Sequence, residues 1–291
     1  MNALMRASAS SLMFKPPPRR NFNTFRTDAE NVLLKSIQGE YIHCCLVCPY
    51  GLESSLQTMP GRPETQTEKV AIFMHGNADD VASCKSYGKW LADHLKMKVV
   101  LMDYPGYGYS SGEPSEEGME HAALAVMEYV TCKLGFHASN VFLIGKSIGS
   151  YPAVSLAAHP AFSRYICGLV LISPVASAAR CVLDAKYVPD FLLRRLDTIA
   201  LSNILHVGRV ETQIFIVHGS ADEIVSVDNA HALIAHAGAE TYYPPLFLEA
   251  GHNDIESKFQ SVMLEALEAF VCECSQRESM LLAHSPYDGF F

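Results

Sequence analysis

Apolar residues in this chain fall into short blocks, most of them closed by glycine, proline or a charged residue. Tyr41–Val47, Val70–Met74, Val99–Asp103, Val141–Ile144, Leu169–Ile172, Ile214–Val217 and Leu246–Leu248 are rich in β-branched and apolar residues and have the length of strands. Between them, apolar positions recur at helical spacing over Val81–Leu95, Glu116–Lys133, Ser150–His159, Asp228–Ala237 and Glu256–Val271. A strand that is apolar at consecutive positions must be covered on both faces. Its alternation with helices predicts βαβ crossovers and a mostly parallel sheet. Sites in such sheets lie at the carboxyl ends of the strands.

Composition narrows the class without changing that picture. The 291 residues are 49% hydrophobic and 18% charged, enough for one large globular core. A net charge of −9 argues against nucleic acid as a partner, because binding phosphates needs a basic face. No apolar run approaches the roughly 20 residues of a membrane-spanning helix. Nine cysteines, an odd and scattered set, suit a reducing compartment with free thiols, and so a cytoplasmic setting. Cys44, Cys45 and Cys48 lie in or beside a predicted strand with no matching second pair, so they read as structural. Cys272 and Cys274 read as plain residues at a helix end.

Residues 1–27 carry Arg6, Lys15, Arg19, Arg20 and Arg26 and no acid. Three readings stay open for this basic extension: a targeting segment, an electrostatic contact with an anionic membrane surface, and a plain extension. Pro16-Pro17-Pro18 stops any helix there. Residues 28–278 then form the main domain, with 279–291 as a tail.

Candidate chemistry centres on Gly145-Lys146-Ser147-Ile148-Gly149, directly behind a predicted strand. G-x-S-x-G at a strand-to-helix turn holds a serine at the tip of a sharp bend. A serine hydroxyl is a poor nucleophile until a base takes its proton and a carboxylate orients that base. Behind such an elbow the expected chain order is serine, acid, histidine. Asp222 follows one predicted strand in His218-Gly219-Ser220-Ala221-Asp222, and His252 follows another in Ala250-Gly251-His252-Asn253-Asp254. His218 competes with His252 as base but precedes Asp222 too closely to partner it easily. Glu223 and Asp254 compete with Asp222 as the acid. A tetrahedral intermediate also needs amide donors for its oxyanion. The backbone N–H groups of Ile148 and of Asn77, in His75-Gly76-Asn77-Ala78, are the candidates.

The glycine-rich run Asp103 to Gly112 lacks the helix a dinucleotide fingerprint requires, since Pro114 follows. It reads as a tight loop whose tyrosines could line the site. No metal or organic cofactor is implied.

With His75-Gly76-Asn77-Ala78, Asp103-Tyr104-x-Gly106-Tyr107-Gly108-x-Ser110-x-Gly112, the serine elbow, His218-Gly219-x-x-Asp222 and Gly251-His252-Asn253-Asp254, the chain resembles the α/β-hydrolase superfamily. Within it, the chain is most similar to the α/β-hydrolase domain-containing protein 17 subgroup, down to Phe14-Lys15-Pro16-Pro17 before the domain. The resemblance implies a serine hydrolase that cleaves acyl-cysteine thioesters, removing palmitate from membrane-bound proteins. Ser147 would be the nucleophile, His252 the base and Asp222 its orienter. Two departures stand out. No cysteine precedes Cys44, whereas that subgroup carries an acylated N-terminal cysteine cluster. Lys146 replaces the glutamine usual in its elbow, placing a cation beside the nucleophile.

Residues 174–212 are where this fold inserts a cap, here a small one. Tyr187–Leu193 within it is apolar enough to receive an acyl chain, touch a membrane or pack in the core. The expected partner is therefore an acylated protein or lipid-like ester, with peripheral membrane contact and oligomeric state left open. The rival within the class is a small-lipid or carboxylic-ester hydrolase. Outside it stands a non-catalytic binding module on the same fold.

Overall fold

The computed structural model describes residues 13–21, 24–28, 30–51, 68–183, 187–238 and 241–283. Among these residues, eight strands form one sheet in the order β1-β2-β4-β3-β5-β6-β7-β8. They are β1 (Asn31–Lys35), β2 (Tyr41–Val47), β3 (Val70–Met74), β4 (Lys98–Met102), β5 (Val141–Lys146), β6 (Gly168–Ile172), β7 (Ile214–Gly219) and β8 (Leu246–Leu248). From β4 to β8 every neighbouring pair is parallel, while β2 pairs antiparallel with both β1 and β4. This is the mostly parallel sheet that the apolar blocks predict, and the fold that the resemblance to α/β-hydrolases implies.

Alternation along the strands feeds two cores. Ile72, Leu143, Leu171 and Ile216 face one side, with helices α2 (Glu116–Glu128), α3 (Ser150–Ala157) and α7 (Asp228–His236). Phe73, Ile144, Ile172 and Val217 face the other, with α1 (Val81–Leu95) and the last helix, α9 (Gln260–Ala283). Successive side chains on a strand point to opposite faces, so runs with no polar position are what two covered faces require. Cys44 and Cys45 divide between the two cores in the same way.

Several boundaries differ from expectation for local reasons. The strand β1 was not expected, because Asn31–Lys35 is a half-buried edge with a mixed pattern. The helix expected through Lys133 changes to a π turn over Tyr129–Lys133, and Thr131 Oγ1 donates back to the Met127 carbonyl there at 2.9 Å. One expected C-terminal helix is two, α8 (Ile255–Lys258) and α9. Helix α9 continues past Ser279 to Ala283, so Cys272 and Cys274 lie inside it rather than at its end.

Between β6 and β7 the described residues of the expected cap include α4 (Ala178–Val182), α5 (Asp190–Leu196) and α6 (Asn203–His206). It is tied to itself by Arg180 and Asp197, with Nη2 and Oδ2 at 2.9 Å. Ser177 Oγ adds a bond to Asp197 Oδ1 at 2.6 Å. No helix among the described residues is long and apolar enough to cross a membrane.

Candidate active site

Ser147 follows β5 at φ +53°, in the left-handed region that costs a non-glycine residue about 1–3 kcal/mol. The elbow is held there by close approaches that only glycine permits. A Cβ on Gly149 would sit 2.1 Å from the Met74 carbonyl oxygen, and one on Gly145 would sit 2.6 Å from the Gly149 oxygen.

Three loops at the carboxyl ends of β5, β7 and β8 meet at this point. His252 Nε2 lies 3.0 Å from Ser147 Oγ, and His252 Nδ1 lies 2.7 Å from Asp222 Oδ2. A carboxylate can only accept, so Nδ1 carries the proton and Nε2 turns its lone pair to the serine hydroxyl. All three residues are buried yet line the same cavity or back it. The second Asp222 oxygen, Oδ1, accepts from the Ile224 and Val225 amides at 2.9 and 2.8 Å. Burial pushes the Asp222 carboxyl up, but bonds from His218, His252 and Val225 outweigh it and hold the group well below the usual carboxylate range.

The rivals fall into supporting places. His218 Nε2 donates to the Val225 carbonyl at 2.8 Å and lies 3.4 Å from Asp222 Oδ2. It therefore backs the carboxylate rather than the serine. Asp254 Oδ1 accepts from Gly251 N–H at 2.6 Å, fixing the loop that carries His252. Glu223 is exposed.

Asn77 and Ile148, the expected oxyanion donors, both line the cavity beside Ser147. The loop of Asn77 passes so close that a Cβ on Gly76 would be 3.8 Å from the Ser147 Cβ. The tyrosines of the 103–112 loop do not line the cavity, contrary to expectation. Tyr104 and Tyr107 are fully buried behind the Asn77 loop, where Tyr104 OH donates to the His75 carbonyl at 2.7 Å. Asp103 accepts from Val81 N–H at 2.8 Å and pairs with His43 Nδ1 at 2.7 Å. Burial raises the Asp103 carboxyl, and bonds from His43 and His75 outweigh that rise, so it too is held low.

The cavity is about 500 Å³. Its apolar wall comes from Val175, Ala178, Cys181, Val182, Leu201 and Ile224. The Tyr187–Leu193 stretch contributes none of the described lining; Tyr187 and Phe191 face solvent, and Leu193 is buried. Burial, with the Asp222 charge adding to it, pushes the Cys181 thiol up to about 12, leaving it a neutral part of that wall. Met13 and Lys15 also line the cavity. Both belong to the basic extension, which carries no local signal of a site; only the resemblance at Phe14-Lys15-Pro16-Pro17 singles the segment out. Lys146 is at the cavity wall, but its ammonium lies 2.5 Å from Glu256 Oε1.

No group of three or more metal-binding side chains occurs among the described residues. What the arrangement can do is activate a hydroxyl in a largely apolar cleft with amides beside it.

Comparison with known proteins points the same way. A family model for the alpha/beta hydrolase fold matches residues 70–207. The mouse alpha/beta hydrolase domain-containing protein 17C is 33% identical over 203 residues, covering 69% of this chain and 58% of that protein. The Xenopus tropicalis protein of the same name is 32% identical over 230 residues, covering 78% of this chain and 66% of its own length. The chain thus spans less than two thirds of the mouse relative's length. Among solved structures, the Pyrococcus furiosus esterase Pf2001 superposes with a TM-score of 0.64 at 15% identity, covering 89% of this chain and 99% of that one. Est1E from Butyrivibrio proteoclasticus gives 0.62 at 18% identity, covering 83% and 98%.

Proposed function

Because the chain belongs to the α/β-hydrolase superfamily, most like its domain-containing protein 17 subgroup, we propose that it is a serine hydrolase of acyl thioesters or esters. The observation that carries this reading is the continuous contact from Ser147 through His252 to Asp222, at 3.0 and 2.7 Å.

In the proposed cycle His252 Nε2 takes the serine proton as Oγ attacks the acyl carbonyl. Charge on the former carbonyl oxygen is met by the Ile148 and Asn77 amides, an interaction worth several kcal/mol when the donors are preorganised. The low Asp222 carboxyl stabilises the imidazolium that forms. His252 then returns the proton to the leaving thiolate or alkoxide, and the acyl-enzyme is released by water activated the same way. No step calls for a cofactor.

Protein depalmitoylation is the leading substrate assignment. The apolar wall suits a long acyl chain, and a cap of three short helices leaves room for an acylated protein at the mouth. The resemblance to the subgroup supports the same choice, and nine free cysteines suit the cytoplasmic side of a membrane. A small-lipid or carboxylic-ester hydrolase is the second reading, favoured by the likeness to esterases in fold.

Intact mass after exposure to a fluorophosphonate tests the mechanism. One adduct is expected on wild type and none on Ser147→Ala; unmodified, folded wild type would count for the non-catalytic module. Preference for palmitoyl-cysteine peptides over short p-nitrophenyl esters would then separate the substrate readings.

A further inference from the structure

Asn77 lines the cavity, yet its side chain is committed to other parts of the chain. Its Nδ2 donates to the Met13 carbonyl at 2.6 Å. Its Oδ1 accepts from Lys15 N–H at 2.8 Å and from Tyr107 OH at 2.8 Å. The partners fix which way the amide faces, since a carbonyl only accepts and an N–H only donates. A planar group held by three bonds from two directions cannot rotate without breaking them, and neither can the short stretch of backbone that carries it.

The N-terminal strap that supplies two of these bonds is anchored independently of Asn77. Phe14 is 5% exposed and belongs to the core under α2 and α3. Arg20 Nε donates to Asp80 Oδ2 at 2.6 Å, with Nη2 at 3.3 Å from Oδ1. Asp80 in turn caps α1, the helix that begins directly after the Asn77 loop. Arg20 N–H reaches the Gly108 carbonyl at 3.2 Å, and Arg19 reaches Glu113 Oε1 at 2.9 Å. The strap therefore bridges the Asn77 loop and the 103–112 loop, and it walls the cavity with Met13 and Lys15.

We propose that residues 13–20 and Tyr107 are a positioning element for the reaction, holding the Asn77 amide where the oxyanion forms. The role rests on the serine-hydrolase reading above. Its chemical sense is that a donor contributes to the transition state only if it is already aimed there, and a displacement of about 1 Å can cost on the order of 100-fold in rate. Substrate binding in the apolar part of the cleft makes no demand on the same amide.

Steady-state kinetics of the full chain on a p-nitrophenyl ester and a palmitoyl-cysteine peptide test this. Asn77→Ala keeps the backbone N–H but frees it, and kcat is expected to fall about 10–100-fold with KM within about twofold. Releasing the strap with Phe14→Ala and Arg20→Ala is expected to lower kcat comparably. Adding those two changes to Asn77→Ala should cost nothing more, because they act through it. Wild-type kcat in Asn77→Ala, or losses that multiply, would overturn the role. Should Asn77→Ala not fold, Tyr107→Phe decides, since it keeps the buried ring: lower kcat at unchanged KM supports the role and wild-type kcat overturns it. Wild type inert towards both substrates would instead remove the serine-hydrolase reading, and this role with it.

Discussion

Lys146 Nζ and Glu256 Oε1 are 2.5 Å apart, with side chains only 17% and 15% exposed. The cation next to Ser147 is thus neutralised by a residue in the first turn of α8. Its presence in the elbow does not by itself create an anion site.

From this pair follows an asymmetry between two variants. Glu256→Gln leaves a largely buried ammonium unpaired and is expected to cost about 2–3 kcal/mol of stability. Lys146→Met with Glu256→Gln together should restore most of it. Chemical denaturation of the three proteins checks this; a double variant as unstable as Glu256→Gln alone would show that the pair is not the cause.

Asp222→Asn is expected to lower kcat by about 10⁴-fold while the protein stays folded. An amide at this position can face His252 Nδ1 with either a donor or an acceptor, so the proton no longer stays on the side away from Ser147. The measurement is kcat on the best substrate found. A loss under tenfold would point to another carboxylate as the orienter.

The two low carboxyls set a pH dependence of stability. Asp103 and Asp222 are depressed in the folded state, so the stability they contribute is complete above the unfolded value near ~3.9 and is lost as pH falls towards the folded one. The melting advantage of wild type over Asp103→Asn should therefore shrink as pH falls below about 4. An advantage that stays constant down to about pH 2 would contradict the assignment.

Gly149→Ala tests the elbow's packing. Its methyl would need space occupied by the Met74 carbonyl, and the backbone there belongs to the central strand β3. A cost of about 3 kcal/mol is expected, with loss of fluorophosphonate labelling. Wild-type melting would mean the elbow can relax.

Val182 and Ile224 line the cavity while remaining 80% and 56% exposed, so polar replacements there should not unfold the protein. Val182→Ser with Ile224→Ser is expected to reduce kcat/KM on palmitoyl substrates about tenfold and leave acetyl esters nearly unchanged. Equal losses on both would place the acyl chain elsewhere.

Much of this molecule is written in local pattern. Blocks such as Val70–Met74 and Leu169–Ile172 have no polar position, which only a doubly covered strand tolerates, so the parallel sheet could be read without its geometry. The meeting of Ser147, Asp222 and His252 could be read for a related reason. Each sits in a glycine-bearing loop at a strand end, and the sheet then brings those ends together. What local pattern could not carry is anything decided by contact between distant segments. Lys146 meets Glu256, Asn77 is clamped by Met13, Lys15 and Tyr107, and His218 backs Asp222 rather than Ser147. The basic run before residue 28 has no periodicity to mark it as part of a site. Its place is fixed by the burial of Phe14 and the charge of Asp80, which exist only once β2, β3 and β4 have paired. Strand and loop identity follow from the free energy of burying each residue's own neighbours; the partners of a charged or amide side chain follow from which surfaces the fold brings within 3 Å.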